Sequence, residues 1–558
     1  VFAGCEALTE IVFPERLIKI GSYAFACSSS DAPQLTAVEF PSTLTEIGLR
    51  AFYYQDNLET VTFKTGSEPL TIGEEAFNYA TGLTTLTLSD NVSVIGNSAF
   101  FNTSIVSIAI PKGVVSIGEE AFARNSDLTA LTFASDGVLE SIGSSAFINN
   151  TSLTSVVLPA SLKTLGASAF SGCSSLASIT FQTKEVAGSG GVMKSDLESI
   201  GNSAFVGTSI SEIAFPESTS NITLGQYLFE NCSNLTTVRL STSIVSIELA
   251  FTGCSTIETI IIPEGSQNIQ LHEDQPLLLN VAQGVITYAF GPISANAEGE
   301  YTLPEGFISI GSGAFYGQNG IKKLSIPATI TSIGGEAFRL CRGLEEVVFA
   351  EGSVLTTVGE YAFAYCYSLS SINLPEGLTT LNGFAFYGAT SLRSIELPGS
   401  LIRVANNVFA YSGLTSVNVP ALQKMSVGDV DYYADSMFSN CVYLTSVTFD
   451  SGLTWLSKNM FSNCTSLENI VLPAGLVSVD PSYESTSYNS GTGPFNESGL
   501  KSVNLNGVTK LPAKIFRGAS ALETVTGLES VTEVGMSAFY GTSLKEVNLS
   551  SVNALPDG

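Results

Sequence analysis

One short unit recurs along the whole chain, and that recurrence restricts the fold more than any other property. Its clearest copy runs from Ser152 to Cys173, SLTSVVLPASLKTLGASAFSGC. Leu153, Val156 and Leu158 fall on one apolar face, and Pro159 ends that run because it has no N–H to give a ladder. Leu162 and Leu165 form a second, shorter apolar run, broken by Gly166. Ala169 and Phe170 then plug a turn that Cys173 closes. With the plug Phe as the anchor, the unit occurs 21 times between Phe2 and Phe539, mostly at spacings of 21 to 25 residues. Ala precedes the anchor in 14 of the 21, a regularity that scattered hydrophobic residues would not produce. A unit this small cannot bury its apolar residues alone. It needs the next copy beside it, so the chain is expected to form a repeat solenoid.

The segments LTEIVF, LETVTF and LTSVVL, and later LEEVVF, LSSINL and LKSVNL, place inward residues at their first, fourth and sixth positions. Their Thr, Val and Ile content suits strands, and in register they make a parallel β-sheet on one face. The LxxIG segment crosses the opposite face as a short strand. The AFxxC segment is expected to be a helical or 3₁₀ turn. On that reading, the paired acids Glu74-Glu75 and Glu119-Glu120 put negative charge at a helix N-terminus. Three longer loops, Gln182 to Asp196, Ala421 to Asp435 and Asp480 to Pro494, read as surface excursions of the kind that border binding faces in repeat proteins.

The LxxIxLP, LxxIG and AFxxC segments resemble the BspA-like class of leucine-rich repeat proteins over nearly the whole chain. The resemblance implies a leucine-rich repeat horseshoe or superhelix. It also implies a secreted or cell-surface location in a bacterium or protist, and adhesion to host extracellular-matrix or surface proteins. Between Ser266 and Glu305 the repeat fails. That stretch resembles a degenerate form of an insert in the same family, a short strand pair leading back into the array. Leu277-Leu278-Leu279, Val285 to Tyr288 and Tyr301 to Leu303 occupy the matching places. The expected organisation is a first array at 1–265, a β-insert at 266–305 and a second array at 306–558.

Composition removes several function classes. The net charge of −28 disfavours nucleic acid, whose phosphates need Lys and Arg. No apolar run approaches the roughly 18 residues of a membrane-spanning helix. The chain opens at Val1 inside a plug turn and closes at Gly558 just after a strand, without polar caps, so a piece of a longer protein is expected. Of nine cysteines, eight sit three residues after a plug Phe (Cys173 and Cys366, for example), and Cys27 sits two after. Other repeats place Ala, Ser or Thr there, so the position selects a small residue and the cysteines read as buried thiols. Disulfides between neighbouring coils are the alternative. Zinc would need Cys-x-x-Cys pairs, which are absent.

No catalytic, cofactor or metal constellation is legible. His272 is the only histidine, flanked by Glu273 and Asp274 in the degenerate stretch, so a nucleophilic triad has no second candidate base of that type. The glycines around Gly191 lack a phosphate loop's lysine. Asp429, Asp431 and Asp435 lack the glycine and terminal glutamate of an EF-hand loop and read as a solvated loop. The ten N-x-S/T sequons match what this Asn-, Ser- and Thr-rich composition gives by chance.

The outward strand position between the last two inward residues is more informative. It is rarely charged although the chain is strongly acidic. Thr62, Thr87, Thr132 and Thr180 occupy it in the first array, and Asn373, Asn418 and Asn504 in the second. One reading is an uncharged protein-binding strip. The other is that Thr and Val stack between strands and Asn ladders stabilise. Tyr365, Tyr367, Tyr387, Tyr411, Tyr432, Tyr433 and Tyr443 crowd one part of the second array, either as an aromatic contact patch or as covers for coil edges. The leading functional expectation is a non-catalytic, adhesin-like protein-binding scaffold, with Tyr432 and Tyr433 added to the candidate row. A cytoplasmic scaffold and the non-catalytic part of a larger enzyme are the alternatives.

Overall fold

A computed structural model describes residues 1–28, 33–254, 256–291, 293, 295–422, 425–427, 430–432, 434–479 and 492–556, with backbone only for 425–427 and 430–432. The chain separates into two compact units, Val1–Ala282 and Gln283–Gly558. Each is a stack of coils, and the coil of Phe170 shows how the sequence builds one. The front strand Ser155–Leu158 alternates exposed and buried residues, with Val156 and Leu158 inside. The back strand Thr164–Leu165 buries Leu165. Between the two sheets lie Leu153, Leu162, Ala169 and Phe170, all fully buried or nearly so.

Neighbouring coils pair in parallel with matching register. In the first unit a five-stranded front sheet runs from Ala37–Phe40 to Ala130–Phe133, and a nine-stranded back sheet from Lys19–Ile20 to Thr223–Leu224. Thr164 and Leu165, for example, pair with Ser141 and Ile142 on one side and with Ser199 and Ile200 on the other. The second unit repeats the plan. Its front strands Glu300–Thr302, Lys323–Ile326, Glu346–Phe349 and Ser371–Ile372 form one parallel sheet. Within 266–305, Ile269–Leu271 pairs antiparallel with Leu277–Asn280, whereas Val285–Ala289 pairs parallel with Ser309–Ile310. The division between units falls inside this stretch.

The plug rings form a column through each unit. Phe147 and Phe170 stack 5.2 Å apart with planes 4° from parallel, and Phe338 and Phe363 5.1 Å apart at 6°. Offset stacking of this kind adds to the burial of each ring.

The plug turn itself differs from expectation. Among the described residues the one helical segment is a single 3₁₀ turn, Leu528–Ser530, and the AFxxC segments are not helical. Instead, the residues two before and two after the plug Phe take left-handed backbone angles: Ser145 (55°) and Asn149 (60°) around Phe147, Ser168 (55°) and Gly172 (72°) around Phe170. Each flip turns alternate amides out of the coil. Ser168, Phe170 and Gly172 donate to the carbonyls of Asn202, Ala204 and Val206 in the next coil, each at 2.8 Å, while Ser171 donates to Ser168 within its own. A helix would spend every N–H inside the turn and leave the coil edge unmated, so the hydrogen bonds gained along the stack decide against it.

Glu75 and Glu120 are thus themselves left-handed residues, not the start of a helix, and Glu75 pairs with Arg50 at 2.7 Å. The same geometry explains part of the sequon count. Asn102, Asn149, Asn231 and Asn463 all occupy the second left-handed position, which Gly and Asn tolerate best.

The position after this turn carries a hydrogen-bond donor in many coils and a plain Ala in others, such as Ala80 and Ala389. The Sγ atoms of Cys173, Cys232, Cys341 and Cys366 donate to the carbonyls of Phe147, Phe205, Phe315 and Phe338, the plug of the preceding coil, at 3.0–3.1 Å. Where Cys is replaced, Asn125 and Asn150 do the same through Nδ2, to Phe100 and Phe122 at 3.1 Å. All nine cysteines are thiols, and eight are buried. Burial pushes the Cys173 and Cys341 thiols up to about 12 and Cys441 to about 11. Since the thiolate is the reactive form, these groups are inert near neutral pH. A thiol reagent at about pH 8 is expected to modify Cys5 alone in the native protein, and all nine cysteines after denaturation without reductant. A denatured count that rises only when reductant is added would mean paired cysteines.

Candidate functional site

The front sheet is the face with the most regular solvent-directed rows. Pairing aligns Glu39 with Thr62 and Thr62 with Thr87, then Ala109 with Thr132, and Val157 with Thr180. In the second unit it aligns Asn418 with Thr448, and Val471 with Asn504 and Thr526. Thr87, Thr132, Thr180, Asn373, Asn418 and Asn504 are exposed, and Thr62 is half-buried. Strand pairing therefore brings Thr62, Thr87 and Thr132 into one sheet, puts Thr180 in a separate strand pair and Asn418 and Asn504 in two further sheets, and leaves Asn373 just beyond its strand. Tyr433 and the side chain of Tyr432 lie outside the described residues.

Hydrogen bonding separates these residues into two kinds. Several other threonines are hooks between coils. The hydroxyls of Thr129 and Thr236 donate to the carbonyls of Val106 and Ser211 at 3.1 and 3.2 Å, and on the back Thr331, Thr356 and Thr379 donate to Ile308, Thr331 and Thr356 at 2.9–3.1 Å. Among the described residues, no protein group hydrogen-bonds the hydroxyls of Thr62, Thr87, Thr132 or Thr180. In the second unit the side chains of Asn418 and Asn504 are engaged. Asn418 accepts from the Thr448 hydroxyl and donates to Asp450, each at 2.8 Å, and Asn504 accepts from the amide of Asn506 at 2.9 Å. The ladder reading fits Asn418, Asn504 is tied within its own turn, and the hydroxyls of the four Thr are left for solvent or a partner.

Charges on this face are largely paired from coil to coil. Lys64 sits 2.6 Å from Glu15 and 3.4 Å from Glu39, Lys323 is 3.2 Å from Glu346, and Arg239 is 2.5 Å from Glu212. Two shallow hollows open on it. One of about 470 Å³ is bordered by Val12, Glu39, Thr62 and Lys64, and one of about 520 Å³ by Thr448, Val471, Asn504 and Thr526. Among the described residues no three His, Cys, Asp or Glu side chains converge as metal ligands. His272 accepts through Nδ1 from the amide of Asp274 at 3.2 Å in an exposed turn. The glycines 188, 190 and 191 lie in the hairpin between Lys184–Glu185 and Met193–Lys194, not at a helix start. Asp429 and the side chain of Asp431 lie outside the described residues, and Asp435 pairs with Lys458 at 3.4 Å.

The tyrosines of the cluster pack on one another and under arginines. Tyr365 and Tyr387 meet edge to face at 5.4 Å, and Tyr387 and Tyr411 are tilted at 5.2 Å, so these rings cover the coil edge. Tyr365, Tyr367 and Tyr443 also lie under arginines, Arg339 at 5.8 Å, Arg342 at 5.9 Å and Arg393 at 5.2 Å from the ring centres. Sequence reading found the tyrosines and missed their partners. Arg342 was visible as a charge just after Cys341, but nothing local ties Arg393 to Tyr443.

A family model described as the BspA type leucine-rich repeat region, in 6 copies, matches residues 1–129, 94–190, 191–273, 308–434 and 435–557. The chain belongs to the BspA-type leucine-rich repeat family. The parallel-stranded solenoid with almost no helix is the fold expected of a BspA-type chain. Among solved structures it is similar to a leucine-rich repeat protein from Bacteroides ovatus, at 24% identity, 72% of this chain, 82% of that one and TM-score 0.39. It is similar to a leucine-rich cell surface protein from Faecalibacterium prausnitzii, at 20% identity, 78% and 88% coverage and TM-score 0.39. It is also similar to the pneumococcal vaccine antigen PcpA, at 18% identity, 88% and 93% coverage and TM-score 0.38. No curated protein matches the sequence. Among the described residues of this BspA-type chain, no helix is long and apolar enough to cross a membrane.

Proposed function

We propose that this BspA-type chain is a non-catalytic scaffold, secreted or displayed at a cell surface. It binds host extracellular-matrix or surface proteins through the front sheet. The observation that carries this reading is the set of Thr62, Thr87 and Thr132 on one front sheet and Thr180 on a further strand pair, all uncharged and with hydroxyls that no protein group hydrogen-bonds among the described residues. On a chain of net charge −28, a strip spared from charge can be desolvated at low cost by a broad protein partner. Area spread over several coils, with a few anchors, is how solenoids recognise proteins. The surface location rests on membership of the family.

The test places charge on this set. Thr87→Glu, Thr132→Glu and Thr180→Glu are combined, and binding to a panel of matrix proteins is followed by surface plasmon resonance. The triple variant is expected to bind at least roughly tenfold more weakly, as one desolvated carboxylate is enough to cost that much. Unchanged binding by a variant that melts like the wild type would remove the set from the interface. Asn418 and Asn504 are poorer sites for the test, because replacing them also breaks contacts within the solenoid.

A further inference from the structure

A sheet boundary crosses the front of the second unit between two successive coils. Ser446–Phe449 closes one strand pair, and Asn469–Val471 opens the next sheet of three. In the coils on either side a main-chain bond ties each front strand to the one before. Ser446 donates to the Thr415 carbonyl at 3.3 Å, and Ser502 to the Glu468 carbonyl at 3.0 Å. Among the described residues, Glu468 and Asn469 make no such bond to the Thr445 carbonyl. The hollow of about 520 Å³ lies over this seam, bordered by Thr445, Ser446 and Thr448 on one side and by Asn469, Val471 and Asn504 on the other. Among the described residues that border it, none is charged and none is aromatic. Two exposed carboxamides are held in it with their donors unused. The Asn504 Oδ1 accepts from the Asn506 amide at 2.9 Å, and the Asn469 Oδ1 from the Ser502 hydroxyl at 2.5 Å. Among the described residues neither Nδ2 meets a protein acceptor.

We propose that this hollow takes an uncharged, extended segment of a partner protein, held through its main chain. The inference rests on the front sheet as the binding face and adds what is bound there. Peptide main chain is uncharged and carries N–H donors and C=O acceptors in alternation. The hollow meets both kinds. Asn469 and Asn504 offer Nδ2 donors, the Thr445 carbonyl is an acceptor, and the exposed hydroxyls of Ser446 and Thr524 serve as either. A carboxamide holds the same donor and acceptor as a peptide group, so it answers a peptide bond whatever side chains flank it. Main-chain bonds of this kind supply the affinity when extended peptides join sheets. A folded partner has its main chain already paired, so the segment is one that is unfolded or in a loop when it binds. A charged ligand would lose its water here without meeting a counter-charge. A sugar would find hydroxyl partners but no aromatic ring to lie against.

The full 558-residue chain is titrated with an end-capped octapeptide of alternating Thr and Gln, and binding is read by saturation-transfer NMR, which detects weak complexes. Saturable binding is expected. The same peptide with methylated main-chain nitrogens keeps its side chains and loses its N–H donors, and should bind at least roughly tenfold more weakly. Asn469→Asp combined with Asn504→Asp keeps the acceptors for Ser502 and Asn506 but removes both Nδ2 groups and adds charge. It should weaken binding by a similar factor. The variant charged at Thr87, Thr132 and Thr180 should bind the peptide as the wild type does, which separates this hollow from the first-unit threonines. The proposal is overturned if the wild type does not bind the peptide, or if the methylated peptide binds as tightly. It is also overturned if the double Asp variant binds unchanged while melting like the wild type. Dextran competing at equal affinity would overturn it too, making the hollow a sugar site. Binding to matrix proteins without binding to the peptide would remove this inference and leave the front-sheet reading standing.

Discussion

Phe170→Ala is expected to destabilise its part of the solenoid by about 3–5 kcal/mol, the range for emptying a buried aromatic site. Phe170 is fully buried, with Phe147 stacked at 5.2 Å on one side and Phe205 at 6.2 Å on the other. Neither neighbour can close the gap, because strand pairing on both sheets fixes the spacing of the coils. Stability in a solenoid is a sum over coils and their interfaces, so the loss should appear as earlier melting of the first unit. Thr62→Ala, on the surface, should stay within about 0.5 kcal/mol. Denaturant melts of the two variants give the comparison, and equal losses would refute the assignment of inward and outward positions.

Gly166→Ala is expected to cost about 3 kcal/mol, the upper range for overpacking. The glycine of the LxxIG segment stacks directly on its counterpart in the preceding coil. A Cβ on Gly166 would lie 2.4 Å from the Gly143 carbonyl carbon and 2.4 Å from the Ser144 nitrogen, both main-chain atoms that cannot swing aside. Gly21 holds the same motif position and would meet nothing within 4 Å. Gly21→Ala should therefore be nearly neutral. If both substitutions cost the same in denaturant melts, the glycine row serves chain flexibility and not close approach.

These two residues mark how far local reading carries. The plug Phe and its period are legible because burial of a large side chain once per coil leaves a period in the sequence. The alternation of the front strands and the break at Pro159 are legible for the same reason. The glycine after LxxI was visible as a breaker, but its cause was not, since the atoms it must avoid belong to a residue 23 positions earlier. The turn was misread as helical because Ala-Phe segments carry no local mark of left-handed backbone. Only the neighbouring coil, with carbonyls waiting for Ser168, Phe170 and Gly172, makes that conformation favourable. Eight of the nine cysteines are buried as read, Cys5 being exposed, yet their donor role needs the Phe carbonyl of the preceding coil.

The candidate site follows the same division. Sequence by itself determined the coil, its inward and outward positions, and the rows that carry Thr62, Thr87, Thr132 and Thr180, because each follows from the period of one repeating unit. Tertiary structure decided which outward hydroxyls are left without partners, which asparagines are tied to neighbours, and which tyrosines lie under arginines. Those outcomes depend on pairs of residues tens of positions apart, such as Arg393 and Tyr443. Stacking sets their distance, and the sequence between them holds no local trace of it.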